Sequence, residues 1–194
     1  LAISGDGNPK KIIEDGKSIN ANSLELIHQI KNLSKGEYLN EIANSSSIDM
    51  CVGIGCYPEK HAFSDNFDEE INLLKQKIAA GASYAVTQMF FDNNKYFAFV
   101  NRCRKENINI PIIPGIKILD KPRQIETLPK MFNIELPEEL HNEAIENIEH
   151  IEEIGTRWAI KQSEELINAG VPVIHYYLMN DTSCMLKILN ELHK

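Results

Sequence analysis

Five short apolar runs, each followed by a stretch with helical periodicity, constrain this chain more than any other feature. In order they are LAIS, MCVGIG, YAVTQMFF, IPIIPGIKI and VPVIHYYLM. Few polar residues interrupt them, the pattern of parallel strands buried on both faces. Between them the spacing predicts helices over residues 23–33 and 68–80. In the first, Leu24, Ile27 and Ile30 share a face behind an N-cap at Asn22 or Ser23. In the second, Ile71, Leu74 and Ile78 share a face, acidic residues fill the first turn, and Gly81 supplies the stop. DNNKYFAFVNRCRKEN reads as a helix capped by Asp92 or Asn93. Two more helical segments follow the fourth run, about 123–132 and then the acidic stretch through TRWAIKQSEELINAG. TSCMLKILNELH closes the chain.

Alternating strand and helix implies a parallel α/β sheet, either open and doubly wound or closed as a (β/α)8 barrel. No GxGxxG or GxxxxGK[ST] loop follows any run, which weakens the open nucleotide-binding forms. Five units in 194 residues is roughly 39 residues each, so eight would need about 310, within the range of such barrels. The fold expected is α/β, a TIM barrel of which this chain supplies the last five βα units as a single domain, 1–194. The chain opens on Leu1 with a run that already reads as a strand, so it is expected to start inside a longer barrel.

The net charge of −8 argues against nucleic-acid binding, which calls for a basic stripe. No run approaches the roughly 18 apolar residues of a membrane span. Cys51, Cys56, Cys103 and Cys184 form no CxxC pair, so neither a zinc site nor a disulfide framework is indicated, and a reduced, cytoplasmic protein is expected. Much of the acid lies between Glu135 and Glu153, either as a docking surface or as a solvated helix face, with Ile145, Ile148 and Ile151 spaced by three.

In a barrel the active site lies at the C-terminal ends of the strands. Those ends here carry Gly5-Asp6, Tyr57 to His61, Thr87-Gln88, Lys117, and His175, Tyr176, Tyr177 and Asn180. Each has an ordinary reading too. Asp6 fits a turn cap, Gln88 needs a partner that is either a ligand or a backbone group, His61 fits a loop, Lys77 fits a solvated helix face, and the tyrosines fit core.

The segments SGD, GCYPEKH, DEEINLLKQKIAAGASYAVTQMFFD, IIPGIK and GVPVIHYYLMN, in this order and spacing, resemble the methylenetetrahydrofolate reductase family, in the flavin-containing barrel of its bacterial type. The likeness runs nearly end to end. It implies FAD held on the barrel's C-terminal face, hydride delivered by NAD(P)H, and reduction of 5,10-methylenetetrahydrofolate to 5-methyltetrahydrofolate. The cofactor carries the hard chemistry while the protein orients it.

The resemblance also implies roles. Asp6 is catalytic, beside flavin and pterin, within a cofactor-binding Ser4-Gly5-Asp6 whose first position is an arginine in the family. Tyr57 and His61 match flavin contacts. Ala21 matches a small residue of the FAD site, Glu70 stands where an aspartate is common, and Lys77 matches the lysine that meets the diphosphate. Gln88 matches the glutamine that contacts folate and nicotinamide in turn, and Tyr177 is assigned to substrate with Asp6 and Gln88. No metal is implied. Leu73, Gln76, Pro122 and Asp181 depart from the family pattern. The family's general acid, a glutamate ending the first strand, has no counterpart here. A partial barrel also exposes strand edges, so association is expected, and a homo-oligomer is implied. The alternative is a catalytically incompetent partial barrel serving as a binding or assembly module.

Overall fold

The computed structural model describes residues 1–3, 20–38, 45–59, 66–178 and 182–193. Ser4, Gly5, Asp6, His61, Asn180 and Asp181 lie outside the described residues, so the expectations for them have no structural counterpart. The rest is an α/β fold of parallel strands and covering helices. Strands β1 (Gly53–Cys56), β2 (Tyr84–Thr87) and β3 (Ile112–Ile113) are hydrogen-bonded side by side in chain order, and β4 (Gly115–Ile116) pairs with β5 (His175–Tyr176). Every pairing is parallel. Ala2 adds a parallel bridge to Ile54, its N–H donating to the Gly53 carbonyl at 2.8 Å. No strand order is reversed, so the described sheet has no switch point.

The strands are shorter than the apolar runs predict. Among the described residues of LAIS, Ala2 alone makes a bridge, and YAVTQMFF leaves the ladder after Thr87. The fourth run is split in two. Pro114 between β3 and β4 has no N–H to give a neighbour, and the ladder breaks there. Across the break the Gly115 N–H donates to the Thr87 hydroxyl at 2.8 Å, so a side chain replaces a backbone acceptor.

Local chemistry sets the helix starts. Helix α1 (Ser23–Ser34) begins at Asn22, whose side chain accepts from the Glu25 N–H, while the Glu25 carboxylate accepts from the Ala21 N–H at 2.7 Å. This reciprocal pattern satisfies donors that a helix start leaves free. Asn66 caps α2 (Phe67–Ala79) and Asp92 caps α3 (Asn93–Lys105), their side chains accepting from the Glu69 and Asn94 N–H groups. Asp68, Glu69 and Glu70 face the positive end of α2, which stops at Gly81 with φ 114°, a conformation that favours glycine.

The acidic stretch is not one helix. It forms α5 (Glu138–Glu146), a 3-10 turn over Ile148–His150, and then α6 (Ile151–Asn168). Ile145 and Ile148 are exposed and only Ile151 is buried, so the three isoleucines do not share a face. Leu140, Ala144, Ile151 and Ile154 make the buried seam instead. Helices α4 (Gln124–Phe132) and α7 (Ser183–Leu192) complete the order.

Two cores result. The larger lies between sheet and helices, where Ile54, Leu74, Ala85, Phe99, Ile116 and Leu166 are buried. The smaller gathers Met89, Phe91, Leu119, Leu128, Leu140 and Ile154, from α4, α5, the start of α6 and the segments that leave the strands. It stands over the C-terminal ends of β2 and β4. Gly155 brings α6 against the backbone there: a Cβ would come within 1.9 Å of the Leu119 carbonyl oxygen. Gly155→Ala is expected to lower stability by about 1–3 kcal/mol, as overpacking does, read as a reduced urea midpoint with an unchanged slope. An unchanged midpoint would show that this contact gives way freely.

Candidate functional site

Side chains alternate along a strand, so register decides which groups meet. Gly55 is paired with Val86 and Gly115 with His175. Two residues further on, Tyr57, Gln88, Lys117 and Tyr177 leave their strands from the same face of the sheet. All four line one cleft of about 840 Å³, well within the roughly 300–1,000 Å³ typical of small-molecule sites. Met89, Leu128 and Phe132 from the smaller core, with the exposed Met131 beside them, give it an apolar wall. Gly55 leaves the floor bare, since among the described residues a Cβ there would meet only Ile3, at 3.8 Å. At Gly53 the ring of Tyr84 already occupies that place, 2.3 Å from where a Cβ would stand.

Tyr177 is locked. Its hydroxyl donates to the Thr87 carbonyl at 2.8 Å, and its ring lies against Gly115, where a Cβ would come within 2.5 Å. Burial pushes its phenol up to about 12, with Cys56 and Tyr57 adding to the effect. It stays a neutral donor across the physiological range. Tyr176 points the other way, its hydroxyl 2.7 Å from that of Ser163 on α6, and fills core. The Gln88 carbonyl oxygen accepts from the Met89 N–H at 2.9 Å. This leaves the two amide N–H donors of Gln88 without a partner among the described residues.

Lys117 is 8% exposed, and its ammonium donates to the Tyr177 carbonyl at 3.3 Å. The Cys56 thiol, also on the cleft, is pushed up by burial, then by Cys103, with Lys77 opposing. It is held protonated and is no nucleophile. Among the described residues no cluster of potential metal ligands exists.

The loop after β1 is held by Glu59. Its side chain is 7% exposed, pairs with Lys95 of α3 at 3.3 Å and accepts from the Glu135 N–H at 3.0 Å. Burial raises this carboxyl, against the lowering pull of Lys95 and the Glu135 N–H. The tether ties the loop carrying Tyr57 to α3 and to the segment before α5.

Glu70 and Lys77 lie elsewhere. Two turns apart on α2, both are buried in a small crevice with Leu74 and Phe99, which touches the cleft only through Gly55 and Cys56. Lys77 is thus not the solvated charge its helix position suggests. Burial lowers its ammonium from the usual 10.5, while Glu70 raises it. Ala21 lies on the cap of α1, half-buried, away from the cleft lining. The structure therefore brings Tyr57, Gln88 and Tyr177 together, places Glu70 and Lys77 in one crevice next door, and leaves Ala21 apart.

Comparison with known proteins decides what this arrangement belongs to. The family model for methylenetetrahydrofolate reductase matches residues 1–193. The chain belongs to the methylenetetrahydrofolate reductase family. Among relatives, the 5,10-methylenetetrahydrofolate reductase of Buchnera aphidicola subsp. Schizaphis graminum is 34% identical over 164 residues, covering 83% of this chain and 54% of that protein. Methylenetetrahydrofolate reductase (NADH) 1 of Arabidopsis thaliana is 27% identical over 208 residues, covering 99% of this chain and 33% of that one. The chain thus spans about half or less of the length of these relatives. In fold it resembles an uncharacterised protein from Clostridium thermocellum that binds two copies of 5-methyl-5,6,7,8-tetrahydrofolic acid. That likeness has a TM-score of 0.53 at 22% identity, over 73% of this chain and 52% of the other.

Within this member of the methylenetetrahydrofolate reductase family, Lys121, Arg123 and the apolar wall were not legible as site residues. The signal available was Lys117 at a strand end with two further cations close behind it in KILDKPR. The buried pair yields a test. Between the depressed folded value of Lys77 and the unfolded 10.5, the unfolded chain holds the extra proton, so stability rises with pH in that window. Glu70→Gln removes the group that raises Lys77, which widens the window downward. Chemical denaturation is expected to show the variant less stable than the parent at neutral pH, with the deficit shrinking toward pH 10. A pH-independent deficit would mean that the two groups are not coupled.

Proposed function

We propose that the chain is the C-terminal part, five βα units in one domain, of a (β/α)8 barrel that reduces 5,10-methylenetetrahydrofolate to 5-methyltetrahydrofolate. NAD(P)H is the hydride donor and FAD the cofactor, in a cytoplasmic homo-oligomer. The parallel strands in unreversed chain order support the barrel, since an open doubly wound sheet reverses at a switch point. One observation carries the activity: Tyr57, Gln88 and Tyr177, on three strands far apart in sequence, share one large cleft at the strand ends.

The cleft suits a flavin dinucleotide. It is large, carries an apolar wall, and is bare at Gly55. FAD, when bound, supplies the relay of hydride from nicotinamide to folate. Tyr57 would hold it from the first loop, and the resemblance adds Ser4, Gly5, Asp6, Ala21, His61, Glu70 and Lys77. For Lys77 to reach a diphosphate it would act through the boundary of its crevice at Gly55 and Cys56. Gln88 would bind folate and nicotinamide in turn through its two N–H donors, its carbonyl oxygen being fixed by Met89. Tyr177 would pack its ring on the substrate from its fixed position, its one O–H being committed to the Thr87 carbonyl, with Asp6 beside the pterin. No general acid is assigned within these residues.

The test uses the full-length natural protein that contains this chain. Gln88→Ala is expected to raise the folate KM or lower turnover at least about tenfold, the loss of a hydrogen bond to a polar substrate in a buried site, with flavin content unchanged. Unchanged kinetics would remove Gln88 from the site. A parent protein that binds folate but does not oxidise NAD(P)H would favour the binding-module reading.

A further inference from the structure

The chain carries a formal charge of −8, yet the cleft has the opposite sign. Among the described residues that line it, the only charged ones are Lys117, Lys121 and Arg123. All three come from the segment between β4 and α4. Elsewhere several cations are matched by carboxylates: Lys75 with Glu106, Lys95 with Glu59 and Glu135, Arg102 with Asp68, Lys130 with Glu126, Arg157 with Glu143 and Lys187 with Glu152. None of the three cleft cations has a carboxylate partner among the described residues.

Their placement is built rather than incidental. Lys117 is more than nine-tenths buried, and an ammonium has three donors, of which the Tyr177 carbonyl takes one at 3.3 Å. A buried ammonium with spare donors is costly unless an anion completes it. Lys121 and Arg123 are exposed at the mouth. The loop that presents them is fixed: the Gln124 side-chain oxygen accepts from the Asp120 and Lys121 N–H groups at 2.8 and 3.0 Å, and its amide donates to the Asp120 carboxylate at 2.6 Å. The one carboxylate in the loop is therefore engaged at its base. Cations from floor to mouth, beside an apolar wall, fit a ligand with aromatic surface and negative charge.

We infer that Lys117, with Lys121 and Arg123 leading in from the mouth, forms an oxyanion subsite of the cleft that takes a carboxylate or phosphate of the ligand bound there. The inference rests on the reductase reading, in which both ligands are anionic: the folate through its glutamyl carboxylates and the nicotinamide dinucleotide through its phosphates.

Titration calorimetry on the full-length, FAD-loaded protein distinguishes them. The probes are 5-methyltetrahydrofolate, the same pterin compound lacking its glutamate, NADH and NADPH, each at low and high salt. The variants are Lys117→Met, which keeps the length of the stem, and the exposed pair Lys121→Ser with Arg123→Ser. Each is expected to weaken a fully charged ligand about tenfold, the scale of a hydrogen bond to a charged group, and to flatten the salt dependence of its binding. A loss for the folate that is absent for the glutamate-free compound identifies the carboxylate. A loss for the dinucleotides identifies the phosphate. Parental affinities and salt slopes in both variants would overturn the subsite and leave the reductase reading standing. A parent protein that binds neither folate nor dinucleotide would overturn that reading and the subsite with it. Melting temperatures check folding, and should Lys117→Met not fold, the exposed pair decides alone.

Discussion

Thr87 is the point on which the cleft depends. Pro114 cannot donate to the ladder, so the sheet would part between β3 and β4 unless something bridged the break. Thr87, fully buried, does so twice: its hydroxyl accepts from the Gly115 N–H, and its carbonyl accepts from the Tyr177 hydroxyl. The two bonds work only because Gly115 has no side chain, since a Cβ would stand 2.4 Å from the Thr87 carbonyl oxygen and 2.5 Å from the Tyr177 ring. Proline, glycine, threonine and tyrosine from three segments therefore form one device. It lets the fourth strand change direction, fixes a phenol in the cleft wall, and keeps β4 and β5 in register with the strands before them.

The same device explains which parts of the fold were legible in the sequence. Strand number, order and parallel sense follow from apolar runs alternating with helical periodicity, a pattern that burial on both faces imposes. Caps at Asn22 and Asp92 and the stop at Gly81 follow from local side-chain chemistry. Strand lengths did not follow, because apolar residues beyond the ladder, such as Met89 and Phe91, are buried by α4 to α6 rather than by neighbouring strands. The acidic stretch was misjudged for a related reason. A spacing of three holds for one unbroken helix, and Asn147 ends α5 before the spacing is complete.

For the site, the residues that met were those whose strand-end position and pleat parity were both readable: Tyr57, Gln88 and Tyr177. Glu70 and Lys77 show the limit of that logic. Helix periodicity places both on one face but is silent on whether the face meets water or a strand, and here it meets β1. Their mutual attraction offsets a burial that would be severe for either alone, which makes the pair a packed element of the α2–β1 contact as much as a ligand contact.

Glu59 joins these levels. A carboxylate in a strand-end loop suggests an acid or base, yet its Oε2 is turned toward Lys95 and the Glu135 N–H, on elements that support the cleft rather than line it, while its Oε1 is buried with no hydrogen-bond partner among the described residues. Lys95 also reaches Glu135 itself, at 2.5 Å. Loop, α3 and the entry to α5 are thereby fastened around the buried Glu59, and that entry leads into the helices whose packing builds the apolar wall. Charge in this protein is thus divided by sign and place. Carboxylates brace the scaffold around the cleft through cations such as Lys95 on its outside, while the cations that line the cleft, Lys117, Lys121 and Arg123, have no carboxylate partner among the described residues.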